Sequence, residues 1–233
     1  MEKNYSISVI VPFFNEENYL EESVNRLIEV GVFKEIILVD NKSTDKSNFI
    51  ANSFVKSHKN IFLIKALEKS GKGYAVSVGL KYATSTHLII HDADLEYFPT
   101  DIAKMYEVSK DYPESLILGT RFKGNKIRKN VYFRTVLANR VMSLFFSVIN
   151  FYKVSDVATC YKLMPTEFFQ SIRLNEQGFS IEIEILSKFL KTKNKIKEVP
   201  IKYEGRTYSE GKKIKTSDGF MYLFNTLKYR FFN

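Results

Sequence analysis

The sequence predicts an α/β fold, in which a mainly parallel central sheet is flanked by helices within a single domain. Apolar runs of strand length recur without polar alternation, as expected for strands that are buried on both faces. Segments with helical apolar periodicity separate these runs, which favours parallel strands joined by crossover helices. The 233 residues contain no internal repeat, low-complexity tract or clear interdomain linker. One domain with a mainly parallel sheet accounts for all three observations.

The alternation of strand and helix is regular up to residue 120. Predicted strands cover residues 6–12, 34–40, 60–66, 86–92 and 115–120. The helices predicted between them cover residues 16–30, 45–57, 71–83 and 100–111.

The second half of the chain is less regular. A helix is predicted over 131–151, a strand over 158–165, a helix near 180–191 and a strand over 195–203. The segment 205–215 is polar, basic and rich in turn residues, and an apolar-aromatic helix follows at 220–232. We expect one domain over residues 1–215 and, over 216–233, a C-terminal helix that packs on the domain, on a partner or on a membrane surface.

The composition excludes several classes of protein. Hydrophobic residues make up 45% and charged residues 26% of the chain, which is typical of a globular domain rather than a disordered one. Cys160 is the single cysteine, so no internal disulfide can form, and no Cys/His cluster has zinc-site spacing. The apolar runs are shorter than the ~20 residues that span a bilayer. The start of the chain leads directly into a strand and does not resemble a secretory signal.

The net charge of +9 is unevenly distributed along the chain. Residues 1–119 contain 13 basic and 17 acidic side chains, whereas residues 120–233 contain 22 and 9. The second half is therefore strongly basic, which predicts an anionic partner. Nucleic acid, an anionic membrane and a phosphorylated substrate are the alternatives.

Polar clusters follow three predicted strands at their carboxyl ends, where open α/β sheets bind ligands. They lie at 15–17, 40–45 and 92–96. Helix capping explains some of these residues, but it does not explain three carboxylates within 92–96. Asp92 and Asp94 can turn their oxygens to one side and suit Mg²⁺ or Mn²⁺, with Glu96 as a candidate third ligand.

Two further features lie near the same predicted sheet edge. Ser70-Gly71-Lys72-Gly73 opens a predicted helix, where backbone amides and the helix dipole favour an anion. A capped helix start explains this segment equally well, and its spacing matches neither a P-loop nor GxGxxG. Arg121 directly follows the fifth predicted strand, whereas His91, within a strand, is interpreted as structural.

These motifs, in this order, resemble glycosyltransferase family 2, a group of inverting enzymes with the GT-A fold. Within it, the polyprenyl-phosphate (dolichol-phosphate) mannosyl- and glucosyltransferases are the most similar subgroup. The resemblance covers roughly residues 6–215. The matching stretches are VIVPFFNEENYL (9–20), EIILVDNKSTDKS (35–47), KSGKGYAVSVGLKYAT (69–84), HDADLEYFP (91–99), LGTRFKGN (118–125), SDVATCYKLMP (155–165) and VPIKYEGRTYSEGKKI (199–214). VATCYK (157–162) departs from the glycine-containing segment of many relatives, which puts the acceptor side of the site in question.

The resemblance implies roles for individual residues. Those implied for the donor nucleotide are Pro12, Asn15, Glu16, Asp40, Lys72 and Gly73. The metal-binding pair is Asp92 and Asp94, and Glu96 stands where the subgroup often has Gln. The phosphates of donor and acceptor are implied to meet Arg121 and Arg134, which with Asp94 form the expected catalytic set. A mobile segment that closes over the donor is implied to include Arg206, Ser209 and Lys212.

We therefore expect an inverting, Mg²⁺- or Mn²⁺-dependent enzyme that moves a hexose from GDP-mannose or UDP-glucose to a polyprenyl phosphate. A phosphate monoester is mostly dianionic at pH 7 and attacks without a general base. A hydroxyl of a glycan or lipid-linked sugar is the alternative acceptor and needs a base, for which Glu182 and Glu184 are candidates. A non-catalytic sugar-nucleotide or nucleic-acid binder is a remote alternative.

The expected partners follow from the same reasoning. Segments 136–150 and 220–232 are apolar-aromatic with interspersed basic residues, as interfacial helices are, although packing into the core or a dimer interface also explains them. Many relatives have C-terminal transmembrane helices, and we expect no counterpart of them here. We expect a cytoplasmic protein held peripherally at the cytoplasmic face of a membrane, or by a membrane partner, with a homodimer as an alternative assembly and no nucleic acid bound.

Overall fold

The computed structural model describes residues 5–124, 128–130, 132–206 and 216–232. Its strands are β1 (Ile7–Phe13), β2 (Phe33–Asp40), β3 (Ile61–Lys65), β4 (His87–Ile90), β5 (Leu116–Thr120), β6 (Arg128–Lys129), β7 (Lys162–Pro165), β8 (Ile196–Pro200) and β9 (Tyr203–Glu204). Its helices are α1 (Leu20–Val30), α2 (Ser47–Ser57), α3 (Lys72–Gly79), α4 (Thr100–Asp111), α5 (Phe133–Asn150), α6 (Thr166–Ser171), α7 (Ile181–Leu190) and α8 (Thr216–Phe231).

Seven of these strands form the central sheet, in the order β3-β2-β1-β4-β7-β5-β8. β3, β2, β1 and β4 are mutually parallel, and β5 is parallel to β8. β7 runs antiparallel to both of its neighbours and joins the two parallel groups. The prediction of a mainly parallel sheet with flanking helices is confirmed.

The core lies on both faces of the sheet, which explains the unbroken apolar runs. Val9 and Val11 of β1 face a cluster that includes side chains of α1, α2 and α4. Ile10, between them, faces a second cluster with side chains of α3, α5 and α7. Successive residues of a strand point to opposite faces, so a strand covered on both sides needs apolar side chains at every position.

Several element boundaries differ from the prediction. The first helix begins at Leu20 rather than near residue 16, because Asn15 has a positive φ of 52° and the chain turns before the helix starts. The helix predicted over 71–83 ends at Gly79 and continues as a 3₁₀ turn. The strand predicted over 195–203 is divided into β8, which pairs with β5, and β9, which pairs with β6. The six-residue helix α6 was not predicted.

The long helix α5 packs against α8. Within the parts of the chain that the structure describes, no helix is both long enough and apolar enough to cross a bilayer.

His91 supports the fold as a buried neutral side chain, and this makes stability depend on pH. Its ring lies 3.1 Å from Ser23 Oγ of α1 and 2.9 Å from the Tyr161 hydroxyl. Burial lowers the pKa of His91 to about 4, whereas an unfolded histidine titrates near ~6.5. Falling pH therefore protonates the unfolded chain first and stabilises it.

We expect His91 to account for a loss of about 2 kcal/mol in the free energy of unfolding between pH 7 and pH 5. Urea unfolding at both pH values measures this loss. His91→Gln places a polar amide at the position that does not titrate, so the pH-dependent loss of the variant should be smaller by that amount. An equal loss in the variant would contradict the assignment.

Candidate active site

A cavity of about 250 Å³ lies at the carboxyl ends of β1, β2, β4 and β5. Eight residues to which the family resemblance assigns a role line it: Pro12, Glu16, Lys72, Asp92, Asp94, Glu96, Arg121 and Arg206. Glu182, one of the two candidate bases, lines it as well. Its wall carries both acidic and basic side chains. Such a wall suits a charged ligand that binds together with a counterion.

Lys72 is the first residue of α3, and it connects two carboxylates. Its Nζ lies 2.8 Å from both oxygens of Asp92 and 2.9 Å from Oε1 of Glu182. Burial alone would lower the pKa of Lys72, but the two carboxylates raise it well above its ordinary value. Lys72 in turn holds the pKa of Asp92 below its usual range in spite of burial. The pair is therefore fully charged.

Asp94 lies in a more crowded negative environment. Burial, with Glu96 and Asp92 nearby, raises the pKa of Asp94 to about 8, and Arg206 opposes this rise. Arg206 Nη2 lies 3.3 Å from Asp94 Oδ2, and Arg206 Nη1 lies 3.2 Å from Glu16 Oε2. The guanidinium of Arg206 thus connects the loop after β1, which carries Glu16, with the loop after β4, which carries Asp94.

Glu96 is held by its own partners. Its Oε2 accepts a hydrogen bond from the Tyr203 hydroxyl at 2.6 Å, and its Oε1 accepts one from the backbone N–H of Arg206 at 2.7 Å. Within residues 5–124, 128–130, 132–206 and 216–232, no three His, Cys, Asp or Glu side chains form a ready-made metal site. The role of Glu96 as a third metal ligand stays a prediction.

Arg121 is fixed at the cavity by a buried partner. Its Nε and Nη2 each lie 2.8 Å from one carboxylate oxygen of Asp156, and its backbone N–H donates to the same carboxylate at 3.0 Å. Its guanidinium lies 4.8 Å from the ring centre of Tyr203. Burial alone would lower the pKa of Arg121, but Asp156 and Tyr97 raise it well above its ordinary value. The cation is therefore held in one orientation.

Asn15 and Asp40 lie outside the lining of this cavity and connect the loops that form its rim. Asp40 accepts hydrogen bonds from the backbone N–H of Ser43 at 2.8 Å and from the Asn48 amide at 2.7 Å. The side-chain oxygen Oδ1 of Asn15 accepts one from the backbone N–H of Thr44 at 2.8 Å. These contacts fix the loops after β1 and β2.

Gly73 is also outside the cavity lining, and its position is set by packing. A Cβ atom there would lie 2.0 Å from the backbone carbonyl oxygen of Glu176. The loop 175–178 therefore lies directly against the start of α3. Glu184 holds this loop, because its two oxygens accept from the backbone N–H groups of Asn175 and Glu176, each at 2.8 Å.

The remaining predicted residues lie elsewhere. Arg134 is on α5, beside a separate apolar groove between α5 and α8. Ser209 and Lys212 fall outside the residues that the structure describes. Their roles, and those of Asn15, Asp40 and Gly73, stay predictions.

The sequence analysis missed several residues of the cavity, among them Phe14, Tyr97, Phe179, Tyr203 and Tyr222. Asn41 and Ser70 also line the cavity. Both lie in segments that the sequence analysis singled out without giving either residue a role, and the Asn41 side chain is hydrogen-bonded to the backbone of Ser70. Tyr222 comes from α8, and nothing in its local sequence indicates that α8 reaches the site.

The sheet is mainly parallel, and an Asp-x-Asp pair at its carboxyl edge contacts the side chains of Lys72 and Arg206. This arrangement places the protein among glycosyltransferases with the GT-A fold. The model of glycosyl transferase family 2 matches residues 8–173, and the chain belongs to this family. The predicted family, fold and enzyme class are confirmed.

Two curated relatives are dolichol-phosphate mannosyltransferases. The protein from Pyrococcus furiosus is 29% identical over 210 residues, which cover 88% of this chain and 58% of the relative. The protein from Saccharomyces cerevisiae is 28% identical, and the match covers 88% of this chain and 80% of the relative. The chain thus spans little more than half the length of the Pyrococcus relative.

The solved structures that resemble this chain include glucosyl-3-phosphoglycerate synthase from Mycobacterium tuberculosis. Its complex with Mn²⁺ and UDP-glucose has a TM-score of 0.74 at 16% identity, covering 97% of this chain and 79% of that one. Its complex with Mn²⁺, UDP and glucosyl-3-phosphoglycerate has a TM-score of 0.72 at 15% identity. At these identities the likeness establishes the GT-A fold alone.

Proposed function

We propose that the protein transfers a hexose from a nucleotide-diphosphate sugar, GDP-mannose or UDP-glucose, to a polyprenyl phosphate with inversion at the anomeric carbon. The observation that carries this proposal is that the two candidate bases, Glu182 and Glu184, are already held by hydrogen bonds. Both oxygens of Glu182 accept from lysines, and both oxygens of Glu184 accept from backbone amides. A hydroxyl acceptor needs a positioned base, whereas a dianionic phosphate does not. The names of the two curated relatives agree with a phospholipid acceptor.

The donor is proposed to occupy the cavity at the carboxyl edge of the sheet. Pro12, Glu16 and the loops fixed by Asn15 and Asp40 surround the place for the base and ribose. Lys72 and Arg206 are the cations nearest to the place for the diphosphate. Gly73 contributes by allowing α3 to approach the loop 175–178.

Asp92 and Asp94 are proposed to hold Mg²⁺ or Mn²⁺. Carboxylate oxygens are the ligands that these hard cations prefer, with phosphate oxygens and water completing the shell. The rise in the pKa of Asp94, caused by burial and by neighbouring carboxylates, reflects negative charge that a divalent cation would balance. When bound, such an ion neutralises charge that builds on the leaving diphosphate. Solved neighbours with Mn²⁺ and UDP support the choice of metal.

The protein's own side chains are proposed to do the remaining work. Arg121, fixed by Asp156, presents a positive charge to the phosphates without having to reorganise, which is the efficient form of electrostatic stabilisation. The aromatic rings of Tyr97 and Tyr203 form the adjoining wall and limit the access of water.

The apolar part of the acceptor is proposed to lie along α5 and α8. A groove of about 380 Å³ between them is lined by apolar residues, with Arg134 at its border: Leu137, Ala138, Val141, Met142, Gly219, Phe220 and Leu223. Phe220 and Leu144 are 72% and 67% exposed. We propose that this face contacts the membrane that carries the lipid, so that residues 216–233 serve as a docking helix. Arg134 would then lie near the acceptor phosphate.

The test is transfer of label from radioactive UDP- and GDP-sugars into the organic phase, with Mn²⁺ and polyprenyl phosphate. We expect label to move from one donor, and we expect Asp94→Asn to reduce the rate by at least about 100-fold, since it removes charge from the metal pair. Donor that binds with Mn²⁺ but transfers no label would contradict the phospholipid acceptor. Glycan and lipid-linked sugar acceptors would then be assayed.

A further inference from the structure

Two buried charged residues, one in the cavity wall and one behind it, have no role in the proposed reaction. Lys162 of β7 is 0% exposed and Glu182 of α7 is 2% exposed. Lys162 Nζ lies 2.5 Å from Glu182 Oε2 and also donates to the backbone carbonyls of Val157 and Thr159. An ammonium group has three donors, so Lys162 is fully satisfied by these three acceptors. Its position is therefore fixed.

Glu182 continues this arrangement toward the cavity. Its other oxygen, Oε1, lies 2.9 Å from Lys72 Nζ, which also contacts Asp92. Four charges thus alternate in a line from the core to the cavity wall, in the order Lys162, Glu182, Lys72, Asp92. We call these four residues the charge ladder.

Stability alone does not explain the inner half of the charge ladder. Replacing a buried ion pair by apolar residues of similar volume is often neutral or stabilising. A lysine side chain at the position of Lys72 has a flexible four-carbon stem and many rotamers. Asp92 by itself fixes the ammonium from one side only, whereas Glu182 fixes it from the other.

We propose that Glu182, held in place by Lys162, is a positioning residue that aims the ammonium of Lys72 into the donor cavity. This inference rests on the proposed function, because it assumes that Lys72 meets the donor diphosphate. Lys162 acts only through Glu182. The charge ladder therefore links β7 and α7, elements outside the nucleotide-binding loops, to donor affinity.

The test measures binding of UDP-glucose and GDP-mannose with Mn²⁺ by calorimetry, and does not depend on the acceptor. Glu182→Gln is isosteric but carries no charge. We expect it to weaken binding of the preferred donor by about 10- to 100-fold, as loss of a supporting contact typically does. Lys162→Met should weaken binding by about 10-fold in the wild-type background and have no further effect in the Glu182→Gln background.

Lys188→Met is the matched control, since Lys188 pairs with Glu184 on the same helix but lies outside the charge ladder. It should bind the donor as the wild type does. Donor binding within twofold of wild type in Glu182→Gln would overturn the proposal, as would equal effects of Lys162→Met in both backgrounds. If Glu182→Gln does not fold, the donor affinity of Lys162→Met is compared with that of Lys188→Met. Equal donor affinities of these two variants would overturn the proposal. Failure of the phospholipid acceptor leaves these binding results unchanged, so the two hypotheses are tested separately.

Discussion

Replacing Asp156 by alanine is expected to lower the free energy of unfolding by about 3–5 kcal/mol. Asp156 is 0% exposed and pairs with both the side chain and the backbone of Arg121, which is itself buried. Removing the carboxylate leaves a guanidinium that is desolvated without a counterion. Chemical denaturation of the wild type and the variant measures the difference.

The double variant Arg121→Met/Asp156→Ala separates charge burial from loss of packing. If the unpaired cation is the cause, the double variant should be more stable than Asp156→Ala alone, because no charge is left buried. It should nevertheless be inactive in sugar transfer, since Arg121 is part of the proposed catalytic set. A double variant that is less stable than Asp156→Ala would show that the instability has another source.

Gly73→Ala is expected to destabilise the protein by about 3 kcal/mol and to weaken donor binding, although it adds one methyl group. That methyl group would lie 2.0 Å from the carbonyl oxygen of Glu176 and 3.0 Å from the carbonyl carbon of Gln177. Both are backbone atoms that cannot rotate away, so α3 or the loop 175–178 must shift. Lys72 precedes Gly73 and would shift with α3.

Gly178→Ala is the control, because a Cβ atom at Gly178, in the same loop, has no atom within 4 Å. Its stability should lie within about 1 kcal/mol of the wild type, since such a substitution acts mainly on the unfolded chain. Thermal unfolding and calorimetric titration with the donor compare the two variants. Equal losses in both would mean that the loop tolerates no change anywhere, and would contradict the packing argument.

The sequence predicted the parallel part of the sheet well, because its central strands are buried on both faces. β1, β2 and β4 are mainly apolar runs whose limits lie close to those predicted. β7 was predicted too long, since residues before Lys162 form a loop, and its antiparallel direction has no local signal. A strand in which a buried lysine pairs with Glu182 on a distant helix does not show simple apolar periodicity.

The site residues that could be predicted from the sequence are those that belong to a short, recognisable segment of the chain. Asp92, Asp94 and Glu96 lie within five residues, and Lys72 lies in a glycine-rich segment. Asp156 and Tyr203 could not be found in this way, because their partners Arg121 and Glu96 are 35 and 107 residues distant along the chain. Such pairs become neighbours only when the sheet has formed.

The position of β7 also determines when this protein can fold during its synthesis. In the described sheet, β5 lies between β7 and β8, which are both made after it. A nascent chain of about 150 residues contains β3, β2, β1 and β4 side by side, but β5 has no neighbour to pair with. Arg121 at the end of β5 also lacks Asp156 at that stage. The loops after β1, β2 and β4 can therefore form on the ribosome before Arg121 is held in place, and β7 then joins β5 to the rest of the sheet.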